Sequence, residues 1–199
     1  MLRDESDEAL LGRYRGGETR AFEVLLLRHQ KGIYNFLRRH VGDDSLAEDL
    51  LQEVFLRVIR ASATFQGGSK LSTWIYAIAR NLAIDALRRA KHRRTESLDG
   101  PVGHGDDDAR PRELADPAAD VEREAGARDL GKRLEAAIAG LPVDLREVLL
   151  MRERAELSFK QIAEAVGIPE NTAKSRMRYA LERLRAELGE DDDVRKAAQ

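Results

Sequence analysis

No cysteine occurs among the 199 residues, which excludes a disulfide framework, a thiolate metal site and a cysteine nucleophile. Aromatics are scarce, at 5% of residues against 35% charged. That balance suits helices with charged outer faces better than packed β-sheets. No apolar run reaches the ~20 residues that span a bilayer, so no membrane insertion is expected. The opening MLRDESDEALL is acidic and places no basic stretch ahead of an apolar one. A secretory leader is therefore not expected, and the cytoplasm is the expected compartment. Glycine-rich phosphate loops and nucleophile motifs are missing. The histidines, His29, His40, His92 and His104, form no ligand-spaced cluster. No catalytic residue, metal or cofactor is expected.

Charge is plentiful and unevenly laid out. Residues 1–94 carry 17 basic and 12 acidic side chains, a net +5, while residues 95–130 carry a net −7 and residues 131–199 are balanced. The acidic strip is also a composition break, with Gly100, Pro101, Gly103, Gly105, Pro111 and Pro117 and few large apolar residues. Such a stretch buries too little to offset its ordering entropy. The expected organisation is a first domain over 1–94, a linker over 95–127, a second domain over 128–188 and a charged tail over 189–199. From its residues alone the linker reads as a plain flexible tether. Asp106, Asp107 and Asp108 within it read as solvated.

Apolar residues recur at helical spacing. Phe22, Leu25, Leu26, His29, Ile33, Phe36 and Leu37 form one stripe. Leu46, Leu50, Val54 and Val58, with Leu51, Phe55 and Ile59, form a second. Leu71, Ile75, Ile78 and Leu82, with Ala79 and Ala86, form a third. Asp44 or Ser45 can cap the second helix, and Ser72 or a neighbour the third. No segment sustains period-two alternation. The expected fold is all-α, as two small helical domains.

The second domain carries the clearest motif. Pro142 suits the first turn of a helix running to about Arg154. Ser158-Phe159-Lys160-Gln161 has the form of a capping box. Gly167-Ile168-Pro169 breaks the chain before a helix from Glu170 to about Leu188. Ala173, Met177, Ala180, Leu181 and Leu184 are expected to face inward, with the small Ala163 at the crossing. This is a helix-turn-helix layout, which sets its second helix into a major groove. Asn171, Thr172, Lys174, Ser175, Arg176, Arg178 and Tyr179 would face outward. Residues 171–185 hold five basic side chains and one acid, Glu182. Arg and Lys can pair with guanine edges or phosphates, Ser and Thr with either. The alternative is a charged, solvated hairpin.

The first domain is less specific. Arg88, Arg89, Lys91, Arg93 and Arg94 form a basic cluster. Ahead of it, FQGGSKLSTWIYAIARN is a glycine-containing loop entering a helix. Basic tracks with aromatics and loop pockets suit single strands, although Trp74 also reads as core. Asp43, Asp44, Glu48, Asp49 and Glu53 crowd one helix start. That is partly complementarity to the helix dipole. It also allows a carboxylate pair for a metal, or a docking face anchored by Leu50 or Phe55.

Taken in order, AFEVLLLRHQKGIYNFLRRHVGDDSLAEDLLQEVFLRVIRA, FQGGSKLSTWIYAIARNLAIDALRR and LPVDLREVLLMRERAELSFKQIAEAVGIPENTAKSRMRYALERLR resemble the bacterial extracytoplasmic-function sigma factors of the sigma-70 superfamily. The resemblance spans about residues 6–94 and 128–188. It implies a promoter-specificity subunit that does no covalent chemistry itself. It implies core RNA polymerase as partner, through the clamp helices of the largest subunit and the flap of the second-largest, together with promoter DNA and an anti-sigma factor. Asp49, Leu50, Gln52, Glu53 and Phe55 would take the core-binding role. Phe65, Gln66, Gly67, Gly68, Ser69 and Lys70 would form a base-capturing loop at the −10 element. Ser72, Thr73, Trp74, Arg80, Asn81, Asp85, Arg88 and Arg89 would join them on DNA, with Asn81 reading a base. Asn171, Thr172, Lys174, Ser175, Arg176, Arg178 and Tyr179 would read the −35 element. A stand-alone helix-turn-helix regulator, binding duplex DNA without polymerase, is the alternative.

Overall fold

The computed structural model describes residues 2–96, 121–153 and 155–197, and no β-strand occurs among the described residues. A 3₁₀ turn at Leu2–Asp4 leads into α1 (Asp7–Arg15), α2 (Thr19–Val41) and α3 (Asp44–Ala61). A second 3₁₀ turn at Ser62–Thr64 and a loop then enter α4 (Leu71–Glu96). The second group is α5 (Val121–Gly140), α6 (Val143–Glu153), α7 (Phe159–Val166) and α8 (Glu170–Ala197).

Local chemistry sets most boundaries. Asp43, rather than Asp44 or Ser45, caps α3: its carboxylate accepts from the Leu46 N–H at 2.8 Å. Ser72 lies inside α4 and does not cap it. The N–H of Leu71 is taken instead by the Glu8 carboxylate at 2.9 Å, from another helix. Gly42 ends α2 with φ 75°, a conformation that costs a side-chain-bearing residue and suits glycine. Two differences from the sequence expectation concern extent. Residues 121–127, expected as linker, begin α5, and α8 runs past Leu188 to Ala197. Residues 121–127 hold Glu, Arg and Ala, helix formers that outweigh the composition that reads as linker; residues 189–197, with Gly189 and three aspartates, have no such bias, and their composition does not explain the extension of α8.

In the first group Leu10 and Leu11 of α1 pack with Leu25, Ile33, Phe36 and Leu37 of α2, Leu50, Val54, Phe55 and Val58 of α3, and Leu71, Ile75 and Leu82 of α4. Each large side chain buried in this way contributes about 1.5–3 kcal/mol. Helices α2 and α4 approach closely at Gly32, where an added Cβ would stand 2.8 Å from the Tyr76 hydroxyl. The second group buries Val148, Leu150, Met151, Ile162, Ala163, Ala173, Met177, Ala180 and Leu184. Leu181, expected inward, is 36% exposed, at the edge of the α8 stripe.

The two groups pack on each other, α4 against α7 and α2 against α5 and α6. Polar ties cross this seam. Arg39 of α2 holds the Glu135 carboxylate through Nε and Nη2. Arg146 of α6 donates to the carbonyl of His40 at 3.1 Å.

Candidate nucleic-acid interface

The helix-turn-helix is built as the spacing predicts. Ser158 Oγ accepts from the Gln161 N–H at 3.3 Å, and the Gln161 side chain accepts from the Ser158 N–H at 2.8 Å. Gly167, with φ 77°, ends α7, and its N–H reaches the Ala163 carbonyl at 2.9 Å. Ala163 is buried at the crossing. Helix α8 therefore leaves the turn with one face fixed in the core. Its other face presents Asn171, Lys174, Arg178 and Tyr179 to solvent. The Arg178 guanidinium lies 5.0 Å from the Tyr179 ring centre. Lys174 is held loosely by Glu170 at 2.7 Å on the same helix, a surface pair worth little in water. Thr172 and Ser175 are half-buried, and the Ser175 hydroxyl donates back to the Thr172 carbonyl at 3.0 Å.

The loop and helix of the first group form a second surface. Gln66, Gly67, Gly68 and Lys70 are exposed and Ser69 is half-buried. Gly67 has φ 73°. Phe65 packs at a tilt on Trp74, with ring centres 5.1 Å apart. Both rings are half-buried, so Trp74 serves partly as support for the loop. Asn81, Asp85, Arg88 and Arg89 line the exposed side of α4. Thr73 is a correction: at 1% exposure it sits in the core and cannot reach DNA. Its hydroxyl has no hydrogen-bond partner among the described residues.

Arg80 and Arg176 are also placed differently from the expectation of free, DNA-facing side chains. Both point into the seam and share one carboxylate. Arg80 Nε donates to Glu147 Oε2 at 2.6 Å, and Arg176 Nη1 to Glu147 Oε1 at 3.3 Å. The Glu147 side chain is 2% exposed, those of Arg80 and Arg176 19% and 24%. Asp144 adds a longer contact to Arg176 at 3.5 Å. Beside them His40 is fully buried, with neither ring nitrogen hydrogen-bonded among the described residues. Burial first, and then the charges of Arg146 and Arg80, push its pKa down to about 4. Burial also pushes Arg146 downward.

On α3, Asp49 and Gln52 are exposed, and Glu53 pairs with Arg57 at 2.8 Å. Leu50 and Phe55 are 5% and 7% exposed. They are core residues, so neither serves as an apolar anchor on this surface. The apolar side chains presented there are Leu56 and Ile59, 45% and 37% exposed. Among the described residues no three His, Asp or Glu side chains gather to hold a metal ion. No described helix is long and apolar enough to cross a membrane.

Comparison with known proteins assigns both halves. Residues 25–93 match the family model of Sigma-70 region 2, and residues 131–184 that of Sigma-70, region 4. The RNA polymerase sigma-H factor of Pseudomonas aeruginosa is 35% identical over 92% of this chain and 94% of its own length. The RNA polymerase sigma factor CarQ of Myxococcus xanthus is 35% identical over 89% and 95%. The ECF RNA polymerase sigma-E factor of Haemophilus influenzae is 32% identical over 92% and 96%. The chain belongs to the extracytoplasmic-function sigma factors of the sigma-70 family. This sigma factor is thus a transcription-initiation protein of a family that is not a class of catalytic enzymes.

Solved structures carry the same fold. The sigma factor RpoE of Bartonella quintana, in complex with the anti-sigma factor NepR, aligns with a TM-score of 0.64 at 23% identity, over 84% of this chain and 96% of that one. CnrH, in complex with the cytosolic domain of CnrY, aligns with a TM-score of 0.69 at 20% identity, over 94% and 99%. Within the sigma factor fold, α2 to α4 make up most of the region 2 match, and α5 to α8 carry the region 4 match.

Three residues of consequence escape motif reading: Glu147, Glu8 and Arg15. For Glu147 a signal exists. It is one acid inside the otherwise apolar run Leu145 to Met151, broken only by its neighbour Arg146, and buried acids are nearly always paired. Glu8 and Arg15 give no such signal, because each lies in a charged stretch on a short helix.

Proposed function

We propose that this sigma factor binds core RNA polymerase and directs it to promoters by reading two DNA elements with two separate helical surfaces. The carrying observation is that α4 with its preceding loop and α8 each project exposed basic and polar side chains from a packed helical base. Asn81, Arg88 and Arg89 lie on one, and Lys174, Arg178 and Tyr179 on the other. Residues 1–94 would act at the −10 element and 128–188 at the −35 element, joined by the acidic segment.

Each surface suits its task. Lys174 and Arg178 can contact phosphates or guanine edges from a helix lying in the major groove. The loop Phe65–Lys70 and Asn81 can hold an unstacked base, with Arg88 and Arg89 as a cationic track. Asp49, Gln52, Glu53, Leu56 and Ile59 on α3 offer the mixed polar and apolar face that a polymerase helix could dock on. Arg80 and Arg176 reach DNA only after leaving Glu147, so promoter engagement requires the seam to open. An anti-sigma factor, as in the RpoE–NepR complex, would stabilise a DNA-incompetent arrangement. The chain itself would perform no covalent step and would work in the cytoplasm beside the polymerase.

The test is run-off transcription with purified core polymerase, this protein and a pool of genomic promoter fragments. Discrete transcripts that require the protein are expected. Tight duplex binding by the protein alone, with no association with core, would overturn the reading in favour of a stand-alone regulator.

A further inference from the structure

Helix α1 lies across the base of the loop assigned above to base capture, and it is tied to both ends of that loop. Arg15 Nη2 donates to the carbonyl of Phe65 at 2.6 Å and also to that of Ser62. Glu8 Oε1 accepts from the N–H of Leu71 at 2.9 Å. The two side chains stand seven residues apart, two turns along one face of α1. The N–H of Leu71, at the start of α4, is one that a helix end leaves without a helical partner. A carboxylate at the first turn of α4 also complements that helix dipole.

The helix that makes these ties is itself immobilised. Leu10 and Leu11 are 0% and 1% exposed in the core. Asp7 accepts from Arg28 of α2, and its other oxygen lies 2.7 Å from His29 Nε2. Ser6 caps α1 by accepting from the Ala9 N–H at 3.2 Å. A rigid strut therefore holds the entry and the exit of a six-residue loop whose middle, at Gly67 and Gly68, has glycine freedom.

We propose that Glu8 and Arg15 are positioning residues for promoter opening, setting the separation and direction of the two ends of the Phe65–Lys70 loop so that it receives a base without first having to be ordered. The inference rests on the reading of that loop as the base-capturing element. Neither residue touches DNA. Their effect passes through backbone groups, so it appears as loop order and base preference.

The test uses the full chain with core polymerase and a promoter selected by the wild-type protein from a randomised duplex library. Glu8→Ala and Arg15→Ala are compared with Glu8→Gln and Arg15→Lys, which keep an acceptor and a donor. Each charge-assisted bond lost should lower open-complex formation roughly tenfold. It should also flatten base preference within the −10 element and speed hydrogen exchange at 65–71. The conservative variants should recover most of both. Core affinity and thermal midpoint should stay near wild type.

Unchanged exchange and unchanged base preference in both alanine variants would overturn the proposal. So would a loss of opening that only parallels a loss of core affinity or of fold, with the conservative variants equally affected. Gln66→Ala and Lys70→Ala separate the two levels. If these alter base preference while Glu8 and Arg15 variants do not, the strut alone fails. If they too leave base preference untouched, the capture reading fails and the strut with it.

Discussion

Replacing Glu147 by alanine should release the two helical groups from each other. Its carboxylate is 2% exposed and is shared by Arg80 from the first group and Arg176 from the second. Removing one partner of a buried ion pair costs about 3–5 kcal/mol, because the remaining charge is left desolvated. Here the arginines are 19% and 24% exposed and can turn toward water, so about 3 kcal/mol is expected. Part of that cost falls on the packing of one group against the other, through Arg80, and part on α6 against α8 within the second group, through Arg176. A change of about 3 kcal/mol shifts a two-state balance by more than a hundredfold. The seam also holds buried nitrogens of His40 and Arg146 that have no hydrogen-bond partner among the described residues. Solution X-ray scattering of Glu147→Ala should show a larger radius than wild type, and urea unfolding should split or shift to a lower midpoint. Affinity for a duplex carrying only the −35 element should rise, because Arg176 is freed. Glu147→Gln, which retains an acceptor oxygen, should fall between. An alanine variant with wild-type scattering, midpoint and duplex affinity would refute the assignment of Glu147 as the tie between the two groups.

Three other outcomes are expected. His40, with a pKa near 4 in the folded chain against an ordinary 6.5, stays neutral while the unfolded chain takes up a proton. Stability should therefore fall as pH drops from about 6.5 to 4, by up to about 3 kcal/mol, and His40→Leu should lose that slope in urea titrations at each pH. Gly32→Ala gains about 1 kcal/mol of helix propensity but drives a methyl group against Tyr76, which is 4% exposed and cannot step aside. Overpacking of that kind costs about 1–3 kcal/mol, so calorimetry should show a lower Tm, and a raised one would refute the close approach. Lys174→Ala and Arg178→Ala should each flatten the salt dependence of −35 duplex binding by about one counterion if the residue meets a phosphate. An unchanged slope in both, measured by fluorescence anisotropy, would remove the exposed side of α8 from the DNA surface.

Much of this molecule was legible one helix at a time. The stripes of α2, α3 and α4, the Ser158–Gln161 capping box, Gly167 and the basic side of α8 are local patterns. Periodicity of 3.6 residues and cap chemistry act within a few residues of chain, so they can be read without knowing what packs on what. The all-α class followed from the same periodicity. Which side of each stripe is available to a partner was not local. Leu50 and Phe55 look like anchors beside an acidic patch, and Thr73 looks like part of a DNA-facing loop. Each is taken into the core by neighbours far along the chain, and Leu56 and Ile59 remain outside. The same holds for charge. Arg80 and Arg176 are indistinguishable in sequence from Arg88 and Arg178, but only the first two meet Glu147, Arg80 across the seam between the groups and Arg176 where α8 packs on α6. Glu8 and Arg15 acquire a role only because α1 crosses the ends of a loop more than fifty residues away. Helices and their caps are decided by short-range sterics and hydrogen bonding; the partner of a charge or the cover of an apolar face is decided by tertiary packing.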